Sequence, residues 1–160
     1  LGLNIATNLT MTRLASFGRA GLLSPARQQA AAETWIERLQ IKCAGSSQSA
    51  GELSGGNQQK IAIARLLHHD VDVLLLDEPT RGIDVGSKAQ IYRLINEVVS
   101  TGSGRPPKAV LLISSYLPEL LGLCDRIAVM RRGHLSEAQP AATFSEHDLM
   151  MAAIGGGPES

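Results

Sequence analysis

Leu53-Ser54-Gly55-Gly56-Asn57-Gln58-Gln59-Lys60 sets one hydroxyl residue and two glycines directly before an Ile/Ala/Leu segment with helical spacing. Such a start opens a helix with its first backbone N–H groups free and almost no side chain in the way. Those donors, together with the positive end of the helix dipole, make a natural anion site. Downstream, Leu74-Leu75-Leu76-Asp77-Glu78 is an apolar run that ends in two carboxylates. A phosphate-sized docking point followed by a strand that ends in acids points to nucleotide chemistry.

Composition narrows the setting. A chain of 160 residues is one domain by length and long enough to bury a core. Lys plus Arg number 15 and Asp plus Glu number 15, so bulk charge gives no basis for wrapping nucleic acid. The apolar runs are too short to cross a bilayer, and residues 1–25 lack the basic start and solid apolar core of a signal peptide. Cys43 and Cys124 stand far apart in no metal-type spacing, as expected of buried thiols in a reduced, cytosolic protein. The chain begins at Leu1 without an initiator Met and ends in Gly155-Gly156-Gly157, so a piece of a longer protein is expected.

On either side of the opening stretch, the apolar spacing predicts the elements. Residues 3–17 are moderately helical, and a second helix follows in which Ser24 caps, Pro25 takes the first position, and Ala31, Trp35, Ile36 and Leu39 share a face. Residues 1–52 therefore read as a small helical subdomain. Residues 56–67 form the helix behind the glycines, and residues 71–76 a strand whose continuous branched apolar residues suit burial on both faces. Asp84 is positioned to cap a helix with Ile91, Leu94, Ile95 and Val98 on one face, ending at Gly102. Residues 102–107 read as a surface loop, 109–113 as a second buried strand, 118–123 as a short helix and 127–130 as a third strand. Gly133 turns the chain into a fourth short strand near Leu135, and Thr143-x-x-Glu146 resembles a capping box for a last helix through Ala153. The β-α-β-α-β order implies a parallel sheet, so the fold class is α/β with a helical appendage.

Asp77 and Glu78 end a strand, where α/β sheets usually present ligands. An Asp there can hold Mg²⁺ through water, and the adjacent Glu, on the other side of the strand end, can polarise a water for attack on a phosphoryl group. The plain alternative is that the two acids cap the following turn, and a Gly-Gly pair by itself is an ordinary turn signal. Order and spacing decide between them. A Ser-Gly-Gly helix start, a strand, two acids, Pro-Thr and then Gly-Ile-Asp form one compact series. His68, His69, His134 and His147 read as surface residues, Trp35 as core of the helical part and Arg131-Arg132 as a solvated turn.

On those residues the chain resembles the nucleotide-binding domain of an ATP-binding-cassette protein. Residues 53–57 are similar to the family signature, whose commonest form has Gln where Asn57 stands; residues 74–78 resemble the Walker B strand with its catalytic Glu. Gly82-Ile83-Asp84 is similar to the loop that runs between two cassettes. The longer strings at 54–60 and 77–86 resemble the second cassette of the tandem ATPases that power bacterial ribose-, galactose- and xylose-type importers. The resemblance implies part of a P-loop NTPase (RecA-like) parallel sheet with an appended helical subdomain. Residues 1–52 would be helical subdomain, 53–67 signature and helix, 68–155 RecA-like core and 156–160 tail. It implies ATP and Mg²⁺ as ligands, with Ser54, Gly55, Gly56, Asn57 and Gln58 closing over the γ-phosphate of an ATP held by an opposing cassette. Asp77 would assist Mg²⁺, Glu78 would orient the attacking water, and Asp84 would couple the two sites. It implies as partners an opposing cassette, transmembrane permease subunits and, indirectly, a periplasmic sugar-binding protein, but no nucleic acid. The expected place is the cytoplasmic face of the bacterial inner membrane.

Two departures bear on that expectation. No Gly-x-x-x-x-Gly-Lys-Ser/Thr occurs in these residues, so the phosphate loop is expected upstream of Leu1 and the chain is expected to be inactive alone. The family's switch His belongs in a Ser-His pair after the strand at Ile113, where this chain has Ser114-Ser115. A hydroxyl at Ser115 cannot supply an imidazole's charge or reach, which implies an asymmetric pair with one weaker site. The alternative function is a non-transport cassette ATPase of DNA maintenance or ribosome-associated regulation. Those proteins add long coiled coils or basic linkers, neither of which this sequence contains.

Overall fold

A computed structural model describes residues 2–19, 22–69, 71–100 and 108–155. The chain forms two compact units, Leu1–Leu74 with Pro79–Val110, and Leu75–Glu78 with Leu111–Ser160.

The first unit is mostly helical. Helix α1 (Ile5–Thr10) starts where the Asn4 side chain accepts the Thr7 N–H, and a kinked 3-10 stretch, Met11–Phe17, leads into a two-stranded antiparallel ribbon of β1 (Gly18–Arg19) and β2 (Leu22–Leu23). Ser24 caps α2 (Pro25–Leu39) through the Arg27 N–H, Pro25 takes the first turn as expected, and Gln40 ends the helix in a left-handed conformation. A connection through residues 41–49 and a short 3-10 turn, Ala50–Glu52, lead to α3 (Gly55–His68). The connection is held on α1 by backbone bonds from Ile5 to Gln48 and from Ala6 to Ser46, both 2.9 Å. Ile5 and Leu9 of α1, Ala32 and Leu39 of α2, Ile61 and Ala64 of α3, and Ile91 and Leu94 of α4 (Val85–Val99) supply its buried side chains. Each fully buried Leu or Ile contributes about 1.5–3 kcal/mol. Asp84 caps α4 as its position predicts; the helix ends at Val99, and the expected stop at Gly102 and the loop at 102–107 lie outside the described residues.

Strands β3 (Val73–Asp77) and β4 (Ala109–Ile113) pair with each other. Bonds from Ala109 N to Asp72 O and from Glu78 N to Ile113 O climb both strands in the same direction, so the pair is parallel. The expected burial on both faces does not hold. Leu74 and Leu76 are buried, whereas Val73, Leu75, Leu111 and Ile113 are exposed. A run of uninterrupted apolar residues carries no alternation, so its sequence cannot separate one covered face from two.

In the second unit, β4 leads to α5 (Leu117–Leu123), then β5 (Arg126–Ile127), β6 (Met130–Arg131), β7 (His134–Leu135), β8 (Gln139–Pro140) and α6 (Glu146–Ile154). The expected third strand of the parallel sheet is instead split. β5 pairs antiparallel with β8, and β6 pairs antiparallel with β7 across a turn in which Arg132 and Gly133 have positive φ. The nearest strand partner in sequence wins because so short a turn closes at little entropic cost. The capping box of α6 also lies two residues from its expected place. Ser145 and Asp148 exchange the bonds, while the Thr143 hydroxyl donates to the Pro140 carbonyl. Leu149 of α6 buries against Ile127 and Ala141. Arg131, expected in a solvated turn, is half-buried, its guanidinium lying where a side chain at Gly155 would stand.

His68 differs from its expected surface role. Its ring stacks on Phe17 with centroids 5.4 Å apart, and its Nδ1 accepts the Trp35 indole N–H at 3.3 Å. Burial, with Arg13 and His69 adding to it, pushes the His68 pKa below its ordinary 6.5. The unfolded chain therefore takes up this proton before the folded one does. Stability is full above pH 6.5 and falls as the pH drops below it toward the depressed value. Urea midpoints measured from pH 8 to pH 5 will decline on the acid side, and His68→Gln will flatten that part of the profile; an unchanged slope in the variant refutes the assignment.

Candidate functional site

The first cluster lies in the first unit at the start of α3. Ser54 is the N-cap residue by backbone geometry, yet its side chain makes no capping bond to the helix. α1, α2, α4 and α6 all have a side chain on their first-turn N–H groups. At α3 the Ser54 hydroxyl is turned instead toward Asn57, accepting its Nδ2–H at 2.9 Å. A side chain added at Gly55 would meet nothing within 4 Å, so the open side of the turn is bare backbone. That surface is what an anion approaching a helix N-terminus requires.

Asn57 and Gln58 face the other way. Asn57 is buried, and its Oδ1 accepts the Lys42 N–H at 3.0 Å while its amide nitrogen serves Ser54. Gln58 folds back to donate to the Leu53 carbonyl at 2.8 Å. Of the five signature residues, Ser54 and Gly55 lie exposed, and Asn57 and Gln58 fasten the turn from behind. Lys60, one turn further on, is also buried, at 4 % exposure, with its ammonium 3.4 Å from the Gln40 carbonyl that ends α2. Burial lowers its pKa, the neighbouring Asp84 charge opposes that shift, and Lys42 adds to it. Sequence spacing gave no signal for Lys60, because a Lys near the end of a polar string reads as solvated.

Gly56 joins this turn to Asp84. A Cβ at Gly56 would stand 3.2 Å from the Ser87 hydroxyl and 3.3 Å from Asp84 Oδ2, so only glycine fits without displacing them. Asp84 accepts the Ser87 N–H at 2.9 Å as the N-cap of α4, and bonds from the Ser87 backbone and hydroxyl hold its carboxyl below the usual range. The structure thus brings Gly56 and Asp84, predicted separately, into contact.

The second cluster lies in the second unit, at the ends of β3 and β4. Asp77 is exposed at the end of β3, and Glu78, the next residue, is half-buried. Glu78 has φ +46°, a left-handed conformation that costs a non-glycine residue about 1–3 kcal/mol. Two bonds hold it there: its N–H donates to Ile113 O at 2.8 Å, and its Oε1 accepts the Ser115 N–H at 2.9 Å. Ser115, in the switch position, reaches Glu78 with its backbone; its side chain is exposed. Ser114 and Glu119, which sequence reading passed over, bond to each other beside it, and Glu119 is 2 % exposed. A Glu in an Leu-Pro-Glu helix start reads from sequence as an ordinary first-turn acid.

Among the described residues, no group of three or more His, Cys, Asp or Glu could hold a metal ion by itself. A single exposed carboxylate at Asp77 nevertheless fits Mg²⁺, which takes one or two carboxylates and keeps water and phosphate oxygens for the rest.

Residues 3–81 match the family described as ABC transporter. The ribose import ATP-binding protein RbsA of Pseudomonas putida is 48% identical over 155 residues, which are 97% of this chain and 29% of that protein. RbsA 2 of Rhizobium meliloti is 44% identical over 158 residues, 99% of this chain and 30% of that protein. The chain therefore spans less than a third of the length of these curated relatives. Among solved structures, an inward-facing metal-chelate type ABC transporter superposes with a TM-score of 0.76 at 15% identity, covering 97% of this chain and 59% of that one. A dimeric ATP-binding cassette in a post-hydrolysis state, bound to ADP and phosphate, gives 0.69 at 21% identity, covering 87% and 57%. At such identities the likeness carries the fold: helices and a small parallel sheet of the cassette ATPase type.

The inward role of Asn57 has a measurable cost. Asn57→Ala leaves the Lys42 N–H without its acceptor and frees the Ser54 hydroxyl, and will lower stability by about 1–3 kcal/mol in urea unfolding. A loss below about 0.5 kcal/mol, the ordinary effect of a surface substitution, overturns the fastening role.

Proposed function

The chain belongs to the ABC transporter family, and from that premise we propose that it is part of the ATP-binding and ATP-hydrolysing subunit of a sugar importer. The relatives named above carry ribose import in their names, which makes ribose the first sugar to test. In this proposal the protein works with an opposing cassette and with transmembrane permease subunits, and indirectly with a periplasmic sugar-binding protein. It lies peripherally on the cytoplasmic face of the inner membrane. Among the described residues, no helix is long and apolar enough to cross a membrane.

The observation that carries the proposal is the α3 N-terminus, where the first turn is uncapped and bare at Gly55 while Asn57, Gln58 and Lys60 hold it from behind. Ser54, Gly55 and Gly56 would form a lid on the γ-phosphate of an ATP bound by the opposing cassette, their N–H groups directed at its charge. Asn57 and Gln58 would act by keeping that lid in shape. Asp77 would hold Mg²⁺, which neutralises phosphate charge when bound. Glu78 would accept a hydrogen bond from the attacking water and orient it. Asp84, in contact with Gly56, would relate the lid to the neighbouring site. Closure of the two cassettes around nucleotide would then drive the permease between access states.

The experiment is ATP-driven uptake by the full protein assembled with its permease in vesicles. Gly55→Asp places a carboxylate at the open turn without striking any neighbour, so the fold tolerates it while phosphate is repelled. It will reduce uptake at least about tenfold more than Glu78→Gln, because the lid serves the competent opposite site and Glu78 the weaker one. Equal losses in the two variants overturn the asymmetry.

A second outcome follows from the absence of a phosphate-loop motif in these 160 residues. Purified alone, they will hydrolyse no MgATP. Hydrolysis that Glu78→Gln abolishes would refute this.

A further inference from the structure

Glu78 is held through the turn between β4 and α5, and that turn has its own internal brace. The Ser114 hydroxyl donates to Glu119 Oε2 at 2.5 Å and accepts the Tyr116 N–H at 3.1 Å. The Glu119 N–H in turn donates to the Tyr116 carbonyl at 3.0 Å. Between the two residues so fixed stands Ser115, whose side chain is exposed and whose N–H points at Glu78 Oε1. A backbone N–H has no rotamer of its own, so its direction is set by the turn that carries it. We propose that Ser114 and Glu119 are a positioning pair: they lock the turn so that the Ser115 amide holds the Glu78 carboxylate.

The contact to Glu78 is made by a backbone amide, so the residue identity that matters lies one place back, at Ser114. A buried carboxylate at Glu119 is costly unless hydrogen-bonded, and the Ser114 hydroxyl is one of the groups that offset the cost. The bonds from the Glu78 N–H to Ile113 O and from the Ser115 N–H to Glu78 Oε1 accompany its left-handed conformation, which runs against the local preference of its backbone. The consequence for catalysis rests on the reading of Glu78 as the residue that orients water. The geometric part does not.

Amide hydrogen exchange of the full protein, resolved at Ser115 and corrected for intrinsic rates, tests the geometric part. Ser114→Ala and Glu119→Ala will each speed Ser115 exchange about tenfold, as will Glu78→Ala, which removes the acceptor. Ser115→Ala will leave the exchange at position 115 unchanged, because the donor is backbone. Glu119→Gln, which keeps an acceptor and the same volume, will stay within about threefold of the parent, so a variant that merely unfolds is recognised. Unchanged exchange in both Ser114→Ala and Glu119→Ala, with Glu78→Ala fast, overturns the pair. For turnover by the assembled transporter, Ser114→Ala and Glu78→Gln will lower kcat without raising KM, and the double variant will be no worse than Glu78→Gln alone. Faster exchange in Ser114→Ala with kcat untouched in every variant supports the pair and overturns the reading of Glu78.

Discussion

A side chain at Gly56 would press on Asp84 and Ser87, which would have to give by a few tenths of an ångström. The starts of α3 and α4 meet closely there. Lys42 and Gln40, at the end of α2, engage Asn57 and Lys60 on one side of the α3 turn. Asp84 and Ser87 close the other side, with the capping bond that starts α4. The signature turn is therefore clamped between two helix termini, and the surface left open is the one formed by Ser54 and Gly55.

Near the strand ends the organising force is different. Glu78 is placed by backbone donors and acceptors: Ile113 O accepts its N–H, and the Ser115 N–H donates to its carboxylate. Such partners survive side-chain replacement, so the geometry of Glu78 depends more on the shape of the 114–119 turn than on the identity of residue 115. The left-handed backbone at Glu78 is the local cost of that arrangement.

The elements that could be read from the chain are those whose signals are local. Ser24-Pro25 and Asp84 marked helix starts because capping involves residues three apart, and the α3 start was visible because Ser-Gly-Gly permits little else. The acids at 77 and 78 fell at the strand end for the same reason. What could not be read depended on partners distant in sequence. Glu119 looks like a first-turn acid until Ser114 and its burial are known, and His68 looks like a helix-end cation until Phe17 and Trp35 are seen around it. The apolar stretch at 127–130 has the composition of a sheet strand, yet the turn at Arg132 and Gly133 supplies a nearer antiparallel partner. Asn57 was expected at the phosphate because of its place in a motif; its two amide contacts, to the Lys42 N–H and the Ser54 hydroxyl, could not be read from that place.

The bare face of the strand pair bears on how this polypeptide behaves in a test tube. Leu75 and Leu111 are more than half exposed, at 68% and 56%, and Ile113 at 54% extends the same apolar surface. Flat, greasy strand surfaces associate with one another as concentration rises, and β-rich apolar segments without charge or proline are the usual seeds of precipitation. The same two strands that carry Asp77 and Glu78 at their ends therefore also carry the surface on which molecules of this chain meet. Because contact between two molecules is bimolecular, dilution opposes it directly, kosmotropic salts strengthen it, and cooling weakens the apolar attraction behind it.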